Sequence, residues 1–115
     1  MINTCDDTIS DILNDCDSYL FFYFSATWCG PCKKLLPLVE EIDNRNKNDK
    51  LKFYYVNIDD NDKLCSSCNI KQVPSYAVVK EKKVLGLDTG SDILKVGNLL
   101  KACLKDHNSC DKETS

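Results

Sequence analysis

The most constraining feature of this chain is an unbroken aliphatic and aromatic run over residues 19–24, which leads almost directly into W-C-G-P-C at residues 28–32. Such a run is typical of a strand that is covered on both faces. Beyond the pentapeptide, leucine, valine and isoleucine recur at helical spacing to about Asn44, and Pro37 is expected to kink this helix rather than end it. The sequence therefore predicts a strand, a turn that carries two cysteines, and a helix.

The rest of the chain alternates between the same two patterns. We predict a helix over 7–16 with Thr4 or Asp6 as its cap, a polar loop over 44–50 and a strand over 51–58. A short helix through Cys65 and Cys68 follows, and then a hairpin with strands over 75–79 and 83–89. The last helix is capped by Ser91, and its apolar stripe consists of Ile93, Val96, Leu100, Cys103 and Leu104. Strands that alternate with helices form a parallel sheet, and the hairpin adds an antiparallel edge. This order predicts an α/β fold with a central mixed sheet of four to five strands and helices on both faces.

The length allows one domain, which we place at residues 1–106, followed by a polar, frayed tail at 107–115. A net charge of −3 with interspersed signs argues against nucleic-acid binding, and no apolar run is long enough to cross a membrane. Residues 1–17 lack Lys and Arg, unlike a secretory signal or transit peptide, so we expect a cytoplasmic protein. The chain has eight cysteines, and in that compartment clustered cysteines are expected to be redox-active or metal-binding rather than structural bridges.

Cys29 and Cys32 have the spacing that disulfide exchange requires, since one thiolate must attack and a second thiol must release the mixed disulfide. Cys29 opens a helix, where unpaired backbone N–H groups and the helix dipole favour the thiolate, and Lys33 and Lys34 add positive charge. Cys32 should lie on the same side and be more shielded. The activation of Cys29 is modest, so the proximity of Cys32 should supply more of the rate.

The segment 24–33, F-S-A-T-W-C-G-P-C-K, together with Pro37, resembles the active-site region of thioredoxins. The resemblance covers about residues 19–106 and includes N-I-D at 57–59, the Val73-Pro74 pair and Gly90. It implies a thioredoxin fold and a protein-disulfide reductase in which Cys29 attacks and Cys32 resolves. Gly30 and Pro31 between the cysteines are typical of the reducing branch of the family.

The resemblance also assigns supporting residues. Trp28 would shield the site, and Pro74 would be cis, which would place the Val73 backbone beside Cys29 to hold a substrate strand. An alternative function is that of a non-catalytic thioredoxin-fold adaptor that binds a partner through the Trp28–Pro74 surface. The intact C-G-P-C motif counts against this alternative.

Two positions depart from the family pattern. Many thioredoxins have a buried Asp where this chain has Tyr23, and a Lys where it has Tyr55. A tyrosine cannot act as a base at neutral pH, although its hydroxyl could relay a proton. We therefore predict slower resolution by Cys32 with a steeper pH dependence, or else two tyrosines that are simply core residues. The first strand of the family is nearly absent, and the last hairpin turn lacks its usual glycine.

The redox-active disulfide Cys29–Cys32 would be the only cofactor. No G-x-G-x-x-G element occurs, so a separate thioredoxin reductase is expected to return electrons to the pair. The partners would be proteins that contain disulfides, with no nucleic acid and no membrane. We expect a monomer, with oxidative dimerisation through Cys5, Cys16 or Cys110 left open.

The second C-x-x-C, Cys65 and Cys68, has three interpretations: an auxiliary or regulatory disulfide, a zinc site, or ordinary thiols. Thirty-two residues separate it from the first pair, a poor match to the spacing of a four-cysteine zinc site, so no metal is expected. Cys103 is predicted to lie in the core. His107 has no neighbouring metal ligand and is expected to be solvated.

Overall fold

The computed structural model describes residues 1–46 and 50–114, with side chains described as far as residue 104. Part of the predicted polar loop, residues 47–49, lies outside the described residues. The strands are β1 (Ile2–Asn3), β2 (Tyr19–Ser25), β3 (Leu51–Asn57), β4 (Ser75–Lys80) and β5 (Lys83–Thr89). The helices are α1 (Ile9–Leu13), α2 (Gly30–Arg45), α3 (Asp62–Ser67) and α4 (Ile93–Thr114), with a single 3₁₀ turn at Ile58–Asp60.

The strands form one five-stranded sheet in the order β1-β3-β2-β4-β5. β1, β3 and β2 are parallel, whereas β4 is antiparallel to β2 and β5 is antiparallel to β4. The predicted mixed α/β sheet is therefore confirmed, with five strands. β2 lies at its centre, hydrogen-bonded along both edges, and its carboxyl end carries the W-C-G-P-C turn.

Alternate residues of β2 point into two cores because side chains of a strand alternate between the faces of a sheet. Phe21 and Tyr23 face the core that is closed by α2 and α4, which contribute Leu35, Val39 and Val96. The opposite core is closed by α1 and α3; its members include Leu20, Phe22, Phe24, Ile9, Leu64 and Cys68. Both faces of the strand are thus covered, which explains its unbroken apolar run.

The short β1 is held at the edge of the sheet by a buried polar network. Asn61 is fully buried, and its side-chain amide donates to the backbone carbonyls of Thr4, at 3.1 Å, and Asn57, at 2.8 Å. Its side-chain oxygen accepts a 2.9 Å bond from the Thr4 hydroxyl. A satisfied buried network of this kind compensates for the few ladder hydrogen bonds that a two-residue strand can make.

Two helices differ from their predicted bounds. α1 begins after Thr8 and is shorter than 7–16, because the Asp15 carboxylate accepts hydrogen bonds from the Asp17 N–H and from Lys52, which ends the helix. α4 is capped by Asp92 instead of Ser91, since the Asp92 carboxylate accepts from the Leu94 N–H at 2.9 Å.

The backbone of α4 continues to Thr114, where the sequence predicted a frayed tail. No glycine or proline follows Gly97, so the two residue types that most strongly interrupt a helix are absent from this stretch. The division into a domain at 1–106 and a tail at 107–115 stays a prediction. Among the described helices, none combines the length and the apolar character needed to span a membrane.

The turn between β4 and β5 has no glycine, as the sequence shows, and it uses strained residues instead. Glu81 and Lys82 have φ values of 54° and 65°. Hairpin turns of two residues favour this left-handed conformation, which glycine and asparagine adopt at lower cost than residues such as these. The strain lies far along the hairpin from the cysteine turn.

Candidate active site

The redox pair lies where β2 ends and α2 begins. Cys29 is the N-cap residue of α2, in extended conformation, and its sulfur accepts a 3.2 Å hydrogen bond from the Cys32 N–H. Pro31 in the first turn suits this position, because its missing N–H would have had no helical partner. The two cysteines are joined in a disulfide with their Cα atoms 5.3 Å apart.

The two sulfurs differ in burial and in setting. Cys29 is 6% exposed and Cys32 is fully buried, which agrees with the predicted shielding of Cys32. Gly30 and Pro31 between them are exposed to solvent. Cys29 therefore presents the more accessible sulfur, at a helix N-terminus whose N–H groups stabilise negative charge.

The Val73–Pro74 peptide bond is cis, as the family resemblance implied. Val73 and Ile58 pack against the cluster formed by Cys29, Cys32 and Ala26, so this loop lies directly beside the redox pair. The Pro74 carbonyl accepts hydrogen bonds from the Gly90 N–H at 3.0 Å and the Thr89 hydroxyl at 2.8 Å. These bonds attach the cis-proline loop to the end of β5.

Trp28 is 67% exposed, which excludes plain core packing; its predicted shielding role stays a prediction. Its ring forms one wall of a groove of about 270 Å³. The groove residues are Trp28, Ile58, Cys65, Ile70, Lys71, Gln72 and Val73. Of these residues, the sequence predicted only Trp28 and Val73 as supports of the site; the position of Ile70 and Lys71 just before the cis proline is the signal that could have added them.

Tyr23 lies directly beneath the redox turn. It is fully buried, and its hydroxyl donates a 2.7 Å hydrogen bond to the Cys32 carbonyl. Burial, and then the neighbouring Tyr55, raises the pKa of Tyr23 well above its usual value. The hydroxyl therefore stays protonated as a donor, and the predicted slower resolution by Cys32 stays a prediction.

The structure places the second C-x-x-C pair in a different environment. Cys65 lies inside α3 and lines the groove, whereas Cys68 caps the end of that helix in the core, and no disulfide joins them. Burial, and then nearby carboxylates with Asp62 first, raises the pKa of Cys65. Burial, and then Cys65, raises the pKa of Cys68 to about 11.

The other cysteines with described side chains differ in burial. Cys103 is buried in the core, as predicted, while Cys5 is partly exposed and Cys16 is exposed. The side chains of His107 and Cys110 lie outside the described residues. Among the described side chains, no group of three or more His, Cys, Asp or Glu residues is placed to hold a metal ion.

Comparison with known proteins agrees with this geometry. The family model named Thioredoxin matches residues 1–101. The chain is 30% identical over 93 residues to a thioredoxin of Malassezia sympodialis, covering 81% of this chain and 85% of the relative. It is 35% identical over 78 residues to a thioredoxin of Rickettsia prowazekii (strain Madrid E), covering 68% of this chain and 73% of the relative.

Among solved structures, the crystal structure of thioredoxin from Trypanosoma brucei brucei superimposes with a TM-score of 0.79 at 25% identity, covering 91% of each chain. The fold, the disulfide at the helix N-terminus and these matches agree with one another. The chain therefore belongs to the thioredoxin family and is a thiol–disulfide oxidoreductase that reduces protein disulfides through Cys29 and Cys32.

Proposed function

We propose that Cys29 is the attacking sulfur in this reaction and that Cys32 is the resolving sulfur. The observation that carries the assignment is the asymmetry of the pair, since Cys29 is the more accessible residue and its sulfur accepts the Cys32 N–H at the start of α2. A thiolate at Cys29 would keep that hydrogen bond and gain from it.

The exchange proceeds in two thiol–disulfide exchange steps. The Cys29 thiolate attacks one sulfur of a substrate disulfide, forms a mixed disulfide and expels the other substrate sulfur, which takes up a proton. Cys32 then loses its proton and attacks the Cys29 sulfur, which releases the second substrate thiol and closes the Cys29–Cys32 disulfide. Two electrons pass to the substrate, and the protein ends oxidised.

Substrate proteins are proposed to bind across the groove beside the pair. In the groove, the exposed ring of Trp28 and the side chain of Val73 lie next to Cys29, and Ile58 and Ile70 add apolar lining. An extended segment on this surface would pass the cis-proline loop and present its disulfide to Cys29. Val73 would then hold the segment through its backbone, as the family resemblance implies.

We also propose that a separate thioredoxin reductase regenerates the dithiol, and that the chain is a cytoplasmic, monomeric electron carrier in cell redox homeostasis. The absence of a G-x-G-x-x-G element from the sequence supports a separate reductase.

Insulin reduction with dithiothreitol as the electron source tests the assignment. Cys29→Ser should abolish catalysis, whereas Cys32→Ser should accumulate a mixed disulfide between Cys29 and the substrate. Retained catalysis in Cys29→Ser, or trapping through Cys32 in its place, would overturn the assigned roles. The adaptor function would be favoured if the unaltered protein showed no catalysis and if both variants still bound their partner.

A further inference from the structure

One side chain attaches the first turn of α2 to the centre of the sheet. The Tyr23 hydroxyl reaches the Cys32 carbonyl at 2.7 Å from a strand that is hydrogen-bonded on both edges. Since the ring is fully buried, its position is set by the packing around it. The hydrogen bond therefore connects the second cysteine of the redox pair to a fixed point of the fold.

The backbone N–H and the backbone carbonyl of Cys32 both make hydrogen bonds that fix their positions. Its N–H donates to the Cys29 sulfur at 3.2 Å, and its carbonyl accepts from Tyr23. The peptide unit that carries this carbonyl also carries the Lys33 N–H, which donates to the Cys29 carbonyl at 3.2 Å. Hydrogen bonds in series polarise and strengthen one another, so the hydroxyl supports the contacts that link the two cysteines.

We propose that Tyr23 is a positioning residue of the redox centre: by holding the Cys32 carbonyl, its hydroxyl keeps the two sulfurs within bonding reach after the disulfide has been reduced. The hydroxyl bonds to backbone and not to the reacting sulfurs, and it acts as a donor in both redox states. The inference rests on the proposed roles of Cys29 and Cys32 and adds the residue that preserves their geometry.

Loss of the hydroxyl should destabilise the oxidised form more than the reduced form, because the reduced turn can relax and regain conformational freedom in exchange for the lost hydrogen bond. In the oxidised form the covalent bond constrains the turn, whereas in the reduced form the hydrogen bonds alone do so. A buried hydrogen bond of ordinary strength corresponds to about a five-fold change in an equilibrium. Tyr23→Phe should therefore lower the equilibrium constant for closing the disulfide about five-fold and slow the attack of Cys32 on a mixed disulfide at Cys29.

Equilibration with glutathione measures this constant. In the reaction, the Cys29 and Cys32 thiols give two electrons and two protons to oxidised glutathione, so that the protein disulfide forms as the glutathione disulfide breaks into two thiols. The fraction of disulfide is read by alkylation and mass spectrometry across a range of glutathione ratios. A mixed disulfide of Cys29 with thionitrobenzoate reports, by release of the dye, the rate at which Cys32 attacks.

Tyr76→Phe is the matched control. Tyr76 is also fully buried and pairs with Tyr23 across β2 and β4, but its hydroxyl donates to the Gly90 carbonyl at 3.3 Å and not to the cysteine turn. A shift of about five-fold in Tyr23→Phe, with Tyr76→Phe unchanged, supports the proposal. Equal shifts in both variants, or no shift in either, overturn it.

Nuclear magnetic resonance on the unaltered protein gives an independent test if Tyr23→Phe fails to fold. The Tyr23 hydroxyl proton should exchange slowly and show a coupling to the Cys32 carbonyl carbon in both the oxidised and the reduced protein. A bond that is present only in the oxidised form contradicts the proposal. Failure of the assigned cysteine roles is a separate result, because it appears as catalysis retained in Cys29→Ser.

Discussion

The chain contains two C-x-x-C pairs with identical spacing and opposite surroundings. Cys29 precedes a helix of sixteen residues, accepts a backbone N–H, and is joined to Cys32. Cys65 and Cys68 lie in and at the end of a helix of six residues, where burial raises the pKa of both thiols. The two pairs share their spacing, but only Cys29 lies at a helix N-terminus, where backbone N–H groups favour a thiolate.

The charged residues near the two cysteine pairs also differ. Lys33 and Lys34 follow the first pair in sequence, whereas the carboxylates of Asp62, Asp6 and Asp59 add to the effect of burial on Cys65. Burial and these carboxylates disfavour a thiolate at Cys65, whereas Cys29 lies beside backbone N–H groups at a helix N-terminus. The regulatory-disulfide interpretation of the second pair would need two thiols that both resist deprotonation, and ordinary thiols describe this pair better.

The largest expected difference between the two pairs is the effect on activity of removing one cysteine from each. Cys29→Ser should reduce insulin reduction by about three orders of magnitude or more, since it removes the sulfur that is proposed to form the mixed disulfide. Cys68→Ala should leave the activity per folded molecule unchanged. A comparable loss of activity in Cys68→Ala would mean that both pairs take part in the electron transfer.

A second prediction concerns thiol reactivity in the reduced, native protein. Because the pKa of Cys68 is raised to about 11, its thiolate fraction at pH 7 is smaller than that of an ordinary cysteine. Cys29 should react with iodoacetamide at least about 100-fold faster than Cys68 at pH 7. The rate at Cys68 should rise about tenfold per pH unit between pH 7 and 9. Mass spectrometry of timed samples measures each site, and equal rates would remove the distinction between the pairs.

The third prediction separates stability from catalysis. Cys68 is 5% exposed in the core beneath α1 and α3, so Cys68→Ser places a hydroxyl among apolar side chains. The free energy of unfolding should fall by about 1–2 kcal/mol. Urea denaturation measures this value, with the exposed Cys16→Ser as a control that should change it by less than about 0.5 kcal/mol. An unchanged midpoint in Cys68→Ser would contradict a structural role for Cys68.

The smallest effect tests the acidic surroundings of the second pair. Asp62 raises the pKa of Cys65, so Asp62→Asn should lower that pKa and increase the thiolate fraction at pH 8. Alkylation of Cys65 should become about two- to three-fold faster. Asp11→Asn, on α1, serves as a control of equal charge change and should leave the rate at Cys65 unaltered. A slower reaction in Asp62→Asn would contradict the electrostatic cause.

Local patterns were sufficient to predict much of the fold and the redox pair. The apolar run of β2, the helical spacing of α2 and the intervening C-G-P-C all concern neighbouring residues, and the cis bond before Pro74 followed from the family resemblance. Each of these features is encoded within a short segment, and each is confirmed.

Long-range features could not be predicted in this way. The pairing of β1 depends on the Thr4–Asn61 hydrogen bonds, which join residues fifty-seven positions apart, and the Asp15–Lys52 contact that ends α1 spans thirty-seven. The bond from Tyr23 to the Cys32 carbonyl requires the exact placement of a helix on a sheet. Sequence patterns identify such residues as buried or polar but do not reveal their partners.

We propose that Cys29–Cys32 is the redox centre of this protein and that Cys65–Cys68 is not. The most direct test equilibrates the native protein with glutathione mixtures from reducing to oxidising, blocks the free thiols, and maps disulfides by mass spectrometry. We predict that Cys29–Cys32 closes first, while Cys65 and Cys68 remain thiols over the range in which the first pair titrates. A Cys65–Cys68 disulfide that closes at the same glutathione ratio, or an oxidised protein without a bond between Cys29 and Cys32, would contradict the account.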